Sequence, residues 1–227
     1  TRFKCDWSSD VCSSDLVLLY RTREKKHLSL LDVCSGICSQ STLSRVEQGS
    51  RELDSLTSEM LLGRIGREVT RFELILNAED YYLNQLRIEI NENIEEKNYI
   101  KAKEKINLYR QHMPAEGKVH EQFCCYMECR ILIAQNEITE KLSALLLRAI
   151  RYTIPDYLLE NCVSRRLYSP VEIELIRMHI TYNDRKCECN EVELFLIMDF
   201  VTEFYSLKQQ EKIEIPLLVD CVKYEIA

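Results

Sequence analysis

Residues 37–49 read Ile37-Cys38-Ser39-Gln40-Ser41-Thr42-Leu43-Ser44-Arg45-Val46-Glu47-Gln48-Gly49. Ser39 carries the short oxygen-bearing side chain that caps a helix N-terminus. Gly49 is the residue that tolerates positive φ where a helix stops. Between them the only apolar residues, Leu43 and Val46, are three apart and share one face. The other positions end in hydroxyl, amide, guanidinium or carboxylate groups. So narrow an apolar seam makes a poor core helix, and the polar face suits a DNA major groove, which admits one α-helix.

Short helices surround this one. A first over about 17–26 sets Leu19 and Arg23 on neighbouring turns of one face. Ser29 is placed to cap a second, with Asp32 favouring its positive end and Gly36 stopping it. A fourth, over about 56–65 with Ser55 as its cap, turns Leu56, Met60, Leu61 and Ile65 inward and ends at Gly66.

Leu28-Ser29 followed by residues 37–49 resembles the helix-turn-helix of the xenobiotic-response-element family, which includes phage-repressor-like domains. The likeness covers about 50 residues. It is carried by a Ser- and Gln-rich helix start, a Leu or β-branched core residue, and a closing Glu-x-Gly. The resemblance implies that Gln40, Ser41 and Arg45 face bases. It also implies that Ser39, Thr42, Ser44, Gln48 and Arg51 lie near phosphates of double-stranded DNA. By position, Arg23 of the first helix pairs with Glu47 as a structural ion pair. The chemistry agrees: Gln can contact adenine and Arg guanine bidentately, while hydroxyls and helix N-termini hold phosphates and set register.

Composition narrows the alternatives. The chain has 227 residues, 46% hydrophobic and 30% charged, with only 5 Gly and 4 Pro. Scarce Gly and Pro argue against a many-turned β-sandwich or a glycine-rich phosphate loop. No apolar run approaches the ~18 residues of a membrane span, so no membrane partner is expected. The net charge of −7 divides unevenly: −1 over residues 1–16, +2 over 17–71 and −8 over 72–227. A polyanion therefore meets the 17–71 head. A charge of +2 is small for binding dominated by phosphate neutralisation, and two heads on a homodimer double the contacts.

Residues 1–16, TRFKCDWSSDVCSSDL, repeat Ser-Ser-Asp without any hydrophobic period. They lack the apolar stretch of a signal peptide. The string resembles translated sequencing adapter and is read as non-native; a genuine disordered tail is the other reading. Tyr224-Glu225-Ile226-Ala227 stops in mid-pattern, so a truncated C-terminus is expected.

Nine further cysteines are Cys34, Cys38, Cys124, Cys125, Cys129, Cys162, Cys187, Cys189 and Cys221. Without a secretory signal they are expected as reduced thiols in the cytoplasm. Cys187-Glu188-Cys189 is the one suggestive spacing, and no histidine among His27, His112, His120 and His179 stands at ligand spacing. Buried thiols acting as small hydrophobes are the expectation, with no metal and no cofactor.

From Phe72 onward amphipathic stretches alternate with short polar turns. Helices are predicted over about 79–96, 98–112, 117–136 and 138–152, then 170–182, 190–206 and 211–226, with 155–169 a loop or hinge. The inward sets are Leu83, Leu86, Ile90 and Ile94; Tyr99, Ala102, Ile106 and Tyr109; Phe123, Met127, Ile131 and Ala134; and Leu142, Leu145, Leu146 and Ala149. Pro114 and Pro155 stand 41 residues apart. That period is somewhat longer than a tetratricopeptide repeat, whose large–small–large–proline pattern Leu86, Ala102, Ile106 and Pro114 follow.

The whole of 17–227 resembles bacterial regulators with a helix-turn-helix head and a tetratricopeptide-like body, related to peptide-sensing quorum regulators. The resemblance implies a body that dimerises and a concave face that binds a short peptide. A dimerisation scaffold without a ligand fits the same residues, since a fold likeness does not establish a ligand. The hydrolase, P-loop, zincin and dinucleotide motifs are absent. Glu95-Glu96 reads as a helix-end charge pair and Tyr81-Tyr82 as helix packing. The expectation is an all-α, non-enzymatic, sequence-specific DNA-binding transcriptional regulator. The alternative is a protein- or peptide-interaction module whose head binds protein.

Overall fold

The computed structural model describes residues 19–67, 75, 77–115, 117–157 and 167–182, which all belong to one compact unit. Every regular element among them is an α-helix, so the fold class is all-α. The helix α1 includes residues 19–25. It is followed by α2 (Leu30–Cys34), α3 (Gln40–Glu47), α4 (Ser55–Arg64) and α5 (Ala78–Glu95), then α6 (Tyr99–His112), α7 (Lys118–Ala134), α8 (Glu140–Thr153) and α9 (Pro170–Tyr182). Residues 1–16, the expected helices over 190–206 and 211–226, residues 158–166 of the 155–169 connection, and Cys162, Cys187, Cys189 and Cys221 lie outside the described residues.

Local chemistry sets the helix starts. Ser29 and Asp32 form a reciprocal capping box, with Asp32 N–H donating to Ser29 Oγ at 3.2 Å and Ser29 N–H to Asp32 Oδ2 at 2.7 Å. The cap of α4 is Asp54, one residue before the expected Ser55. Its carboxylate accepts the Thr57 N–H at 2.8 Å and the Thr57 hydroxyl at 2.7 Å. Ser55 is instead taken by a distant partner: its hydroxyl donates to Asp80 Oδ1 at 2.7 Å and its N–H reaches the same carboxylate.

Two apolar clusters follow from the helix faces. Leu19, Val33, Leu43, Val46, Leu61 and Ile65 close the head. Leu83, Leu86, Ile90, Ala102, Ile106 and Ile131 close the body around the α5–α6 and α7 packing. Each large aliphatic side chain removed from water contributes about 1.5–3 kcal/mol. The helix pair α5–α6 is antiparallel, with Tyr82 against His112 and Glu89 bridged to Lys105. The pair α7–α8 runs likewise: Gln122 bonds Thr153 and Cys125 accepts from Arg148. Cys34, Cys124, Cys125 and Cys129 are buried free thiols and Cys38 is half-buried. Ala134, assigned inward, is exposed because it lies in the last turn of α7; Leu56, Tyr99, Phe123 and Leu145 are half-buried. Tyr81 and Tyr82 are also exposed, at 49% and 40%, so only the Tyr82 ring edge packs, against His112.

The head is fastened to the body by polar groups as much as by apolar ones. Arg64 of α4 and Glu172 of α9 are fully buried and bonded twice, Nη2 to Oε1 at 2.5 Å and Nε to Oε2 at 3.0 Å. Arg64 Nη1 also donates to the carbonyls of Val33 and Ser35, and Nη2 to that of Thr153. The turn after α2 comes so close to α8 that a Cβ on Gly36 would stand 1.8 Å from the Thr153 carbonyl oxygen.

Gly36 and Gly49 both have positive φ, at 77° and 69°, but a Cβ on Gly49 meets nothing within 4 Å. Gly49→Ala should cost only the left-handed strain, about 1–2 kcal/mol. Gly36→Ala adds a collision with backbone and should cost several times more, read as the difference in urea midpoint. Acid should also loosen the unit. Burial alone would raise the Glu172 carboxyl, but the Arg64 charge and the surrounding hydrogen bonds hold it below its ordinary 4.5. His179 is held below 6.5, first by burial and then by Arg151. Both groups bind fewer protons folded than unfolded, so stability declines as pH falls below 6.5 and further below 4.5. Glu172→Gln should lose about 3–5 kcal/mol at pH 7, because it leaves Arg64 buried and unpaired. It should also flatten the pH dependence below 4.5 in chemical-denaturation curves.

Candidate nucleic-acid interface

The site is built on α3. Ser39 is its N-cap, with Oγ accepting the Thr42 N–H at 3.1 Å and lying 2.9 Å from the hydroxyls of both Ser41 and Thr42. A small hydroxyl cluster thus surrounds the positive end of the helix dipole. Leu43 and Val46 are 0% and 1% exposed, and they fix the helix to the head core through one narrow face.

The opposite face is open. Ser39, Gln40, Ser41, Arg45, Gln48 and Arg51 are exposed; Thr42 and Ser44 are half-buried. Gln48 Nε2 leans back on Ser44 Oγ at 3.3 Å, and Arg51 Nη1 rests on Thr42 Oγ1 at 3.4 Å. Arg51 is thereby swung from the following loop to the first turns of α3, beside the hydroxyl cluster. Ser50 bonds the Arg45 carbonyl at 3.0 Å and closes the helix end. The Arg45 guanidinium and the Gln40 amide bond no other described residue.

Arg23 and Glu47 meet as a two-armed pair, Nε to Oε1 at 2.7 Å and Nη2 to Oε2 at 2.9 Å. Arg23 Nη1 donates to the Leu28 carbonyl at 2.8 Å, so one guanidinium ties α1, the α1–α2 turn and the end of α3. The Glu47 hydrogen bond raises the Arg23 pKa above its usual value against the opposing effect of burial. Glu47 is the only carboxylate on α3, and Arg23 neutralises it. The outward charges on and beside the helix that remain are those of Arg45 and Arg51, with Glu52 adjoining in the loop.

This arrangement can present an unpaired guanidinium and an unpaired amide to base edges, with hydroxyls and N–H groups beside them for phosphate oxygens. Three connections had no signal in the sequence, because their partners are remote along the chain. One is the Arg64–Glu172 pair. A second is the bond from Ser55 to Asp80. The third is a buried chain in which Tyr109 OH lies 2.7 Å from His120 Nδ1, and His120 Nε2 lies 3.0 Å from Asp54 Oδ1. Burial acts to raise the Asp54 carboxyl, but the His120 hydrogen bond and charge together with the Thr57 hydrogen bonds outweigh it and hold Asp54 below 3.8. His120 thus stands between the Asp54 carboxylate and the hydroxyl of Tyr109, whose pKa burial raises.

Ser39→Ala removes the cap of α3. It should lower stability by about 0.5–2 kcal/mol, measured by thermal unfolding, with Ser39→Asp retaining most of it.

No protein-family model matches the chain, and neither the curated proteins nor the solved structures yield a match to it.

Proposed function

We propose that the protein is a sequence-specific DNA-binding transcriptional regulator that acts as a homodimer. The observation that carries this reading is the outer face of α3. Its guanidinium at Arg45 and amide at Gln40 are uncommitted and exposed, while its apolar seam is fully used by the core. Arg45 reads a guanine edge and Gln40 or Ser41 an adjacent base; Ser39, Thr42, Ser44, Gln48 and Arg51 hold the backbone. Two copies supply the contacts that a head of charge +2 lacks.

A second reading has its own observation. Leu31 and Tyr20 are 54% and 46% exposed on the head, and apolar side chains so placed suit a protein partner.

Selection of bound duplexes from a random library separates the two. DNA reading requires an enriched sequence and an affinity that falls linearly with log salt. It further requires that Arg45→Ala relax preference at one base position by about 1–3 kcal/mol, and that Arg51→Ala weaken all sequences alike and reduce the salt slope by about 1. No enriched sequence, or an affinity indifferent to salt, would leave the protein-binding reading in its place.

A further inference from the structure

Cys34 and Cys38 meet across the turn that joins α2 to α3. Cys34 ends α2, is 1% exposed and belongs to the head core; Cys38 is half-buried against the same cluster. Ser35 (φ −50°, ψ 125°) and Gly36 (φ 77°) are the central residues of a type II turn, which needs positive φ at its second centre. The Cys34 carbonyl accepts the N–H of Ile37 at 2.9 Å and that of Cys38 at 3.1 Å. A hydrogen bond spanning four residues holds the two Cα atoms about 6 Å apart, within the roughly 4.4–6.8 Å that a disulfide bridges. The two side chains already share a hydrogen bond.

Positive groups surround the pair. Arg64 Nη1 bonds the Val33 and Ser35 carbonyls on either side of Cys34. Its charge favours the thiolate at both sulfurs, and that of Arg51 does so at Cys38. Cys38 also directly precedes Ser39, the cap of α3, where the helix dipole is positive. The Cys38 thiol bonds the Cys34 sulfur and holds the Cys34 pKa below its ordinary value, while the second proton is held tightly at Cys38. The thiols of α7 are placed the other way: burial pushes Cys124 up to about 12 and raises Cys125 and Cys129 too, which leaves them protonated and inert.

We infer that Cys34 and Cys38 are a redox-active dithiol that hydrogen peroxide converts to a disulfide. Cys38 is the sulfur the oxidant reaches, since Cys34 is sealed in the core. The shared proton passes from Cys38 to Cys34, and the Cys38 thiolate attacks one peroxide oxygen. The O–O bond breaks, and the leaving hydroxide takes the Cys34 proton, giving water and a Cys38 sulfenic acid. The Cys34 thiolate then attacks Cys38 Sγ and the S–OH bond breaks. The departing hydroxide takes back the proton first lost to solvent, so two thiols and one peroxide become one disulfide and two waters. The new bond ties the end of α2 to the residue before the α3 cap. The inference does not depend on what α3 binds.

The test is peptide mapping of the whole reduced chain, treated with hydrogen peroxide while folded, then alkylated in denaturant and cut with trypsin. Cleavage after Lys26 and Arg45 releases residues 27–45, whose only cysteines are these two; residues 119–130 carry Cys124, Cys125 and Cys129. Peptide 27–45 should lose two hydrogens and its alkylation, at least tenfold faster than any cysteine of 119–130 is oxidised, and dithiothreitol should restore it. Cys34→Ser should stop at a Cys38 sulfenic acid that dimedone traps, and Cys38→Ser should leave Cys34 reduced. Oxidation no faster than in 119–130, Cys38 bonded to a cysteine other than Cys34, or Cys34 oxidised as quickly in Cys38→Ser would each overturn the assignment. Should a variant fail to fold by circular dichroism, the bond found in peptide 27–45 of the unaltered chain decides alone.

Discussion

The Arg64 guanidinium holds the described unit together. It is wholly buried, and it reaches α9 through Glu172, the end of α2 through the Val33 and Ser35 carbonyls, and the end of α8 through Thr153. Taking two charges out of water costs several kcal/mol each, and their attraction offsets this only with good geometry and further hydrogen bonds. Here the two-armed contact to Glu172 and three carbonyls supply both. Glu172 in turn accepts the Ser169 N–H at 2.8 Å, so the start of α9 is drawn into the same knot. Few relative placements of head and body satisfy so many donors at once.

That placement decides what α3 is free to do. The faces of α2 and α4 that look away from α3 are consumed against the body, through Gly36 on Thr153, Gly63 on Pro170 and Ser55 on Asp80. The Arg23–Glu47 pair holds the end of α3 from behind. What remains outward is the row from Ser39 to Arg51. A rigid base and an open polar row are what the proposed DNA contact requires, since positioning contacts can set register only when the element itself does not move.

The same packing leaves a cavity. Helices α4, α5, α7 and α9 converge around a gap of about 280 Å³ that side chains of different length do not fill. Arg87 is stretched between Glu59, Asn84 and Ser55, and this leaves its Nε facing no acceptor. Among the described residues, the buried side-chain polar atoms without a partner are Asn84 Nδ2 and Arg87 Nε of α5 and Gln122 Oε1 of α7.

Much of the local structure was legible in the sequence. Serine and aspartate caps, glycine stops and a 3.6-residue apolar period are short-range signals, and they located the helices from α2 to α9 to within about two residues. The narrow apolar seam of α3 also marked Leu43 and Val46 as core and left Gln40, Ser41 and Arg45 exposed. The Ser55 cap was misplaced because a carboxylate one residue earlier competes for the same N–H, and only Asp80, twenty-five residues on, settles which one is used. The Arg64–Glu172 pair, the Tyr109–His120–Asp54 chain and the cavity belong to the tertiary structure alone. Each joins residues from separate helices, and hydrophobic periodicity records which face of a helix is buried but not which neighbour buries it.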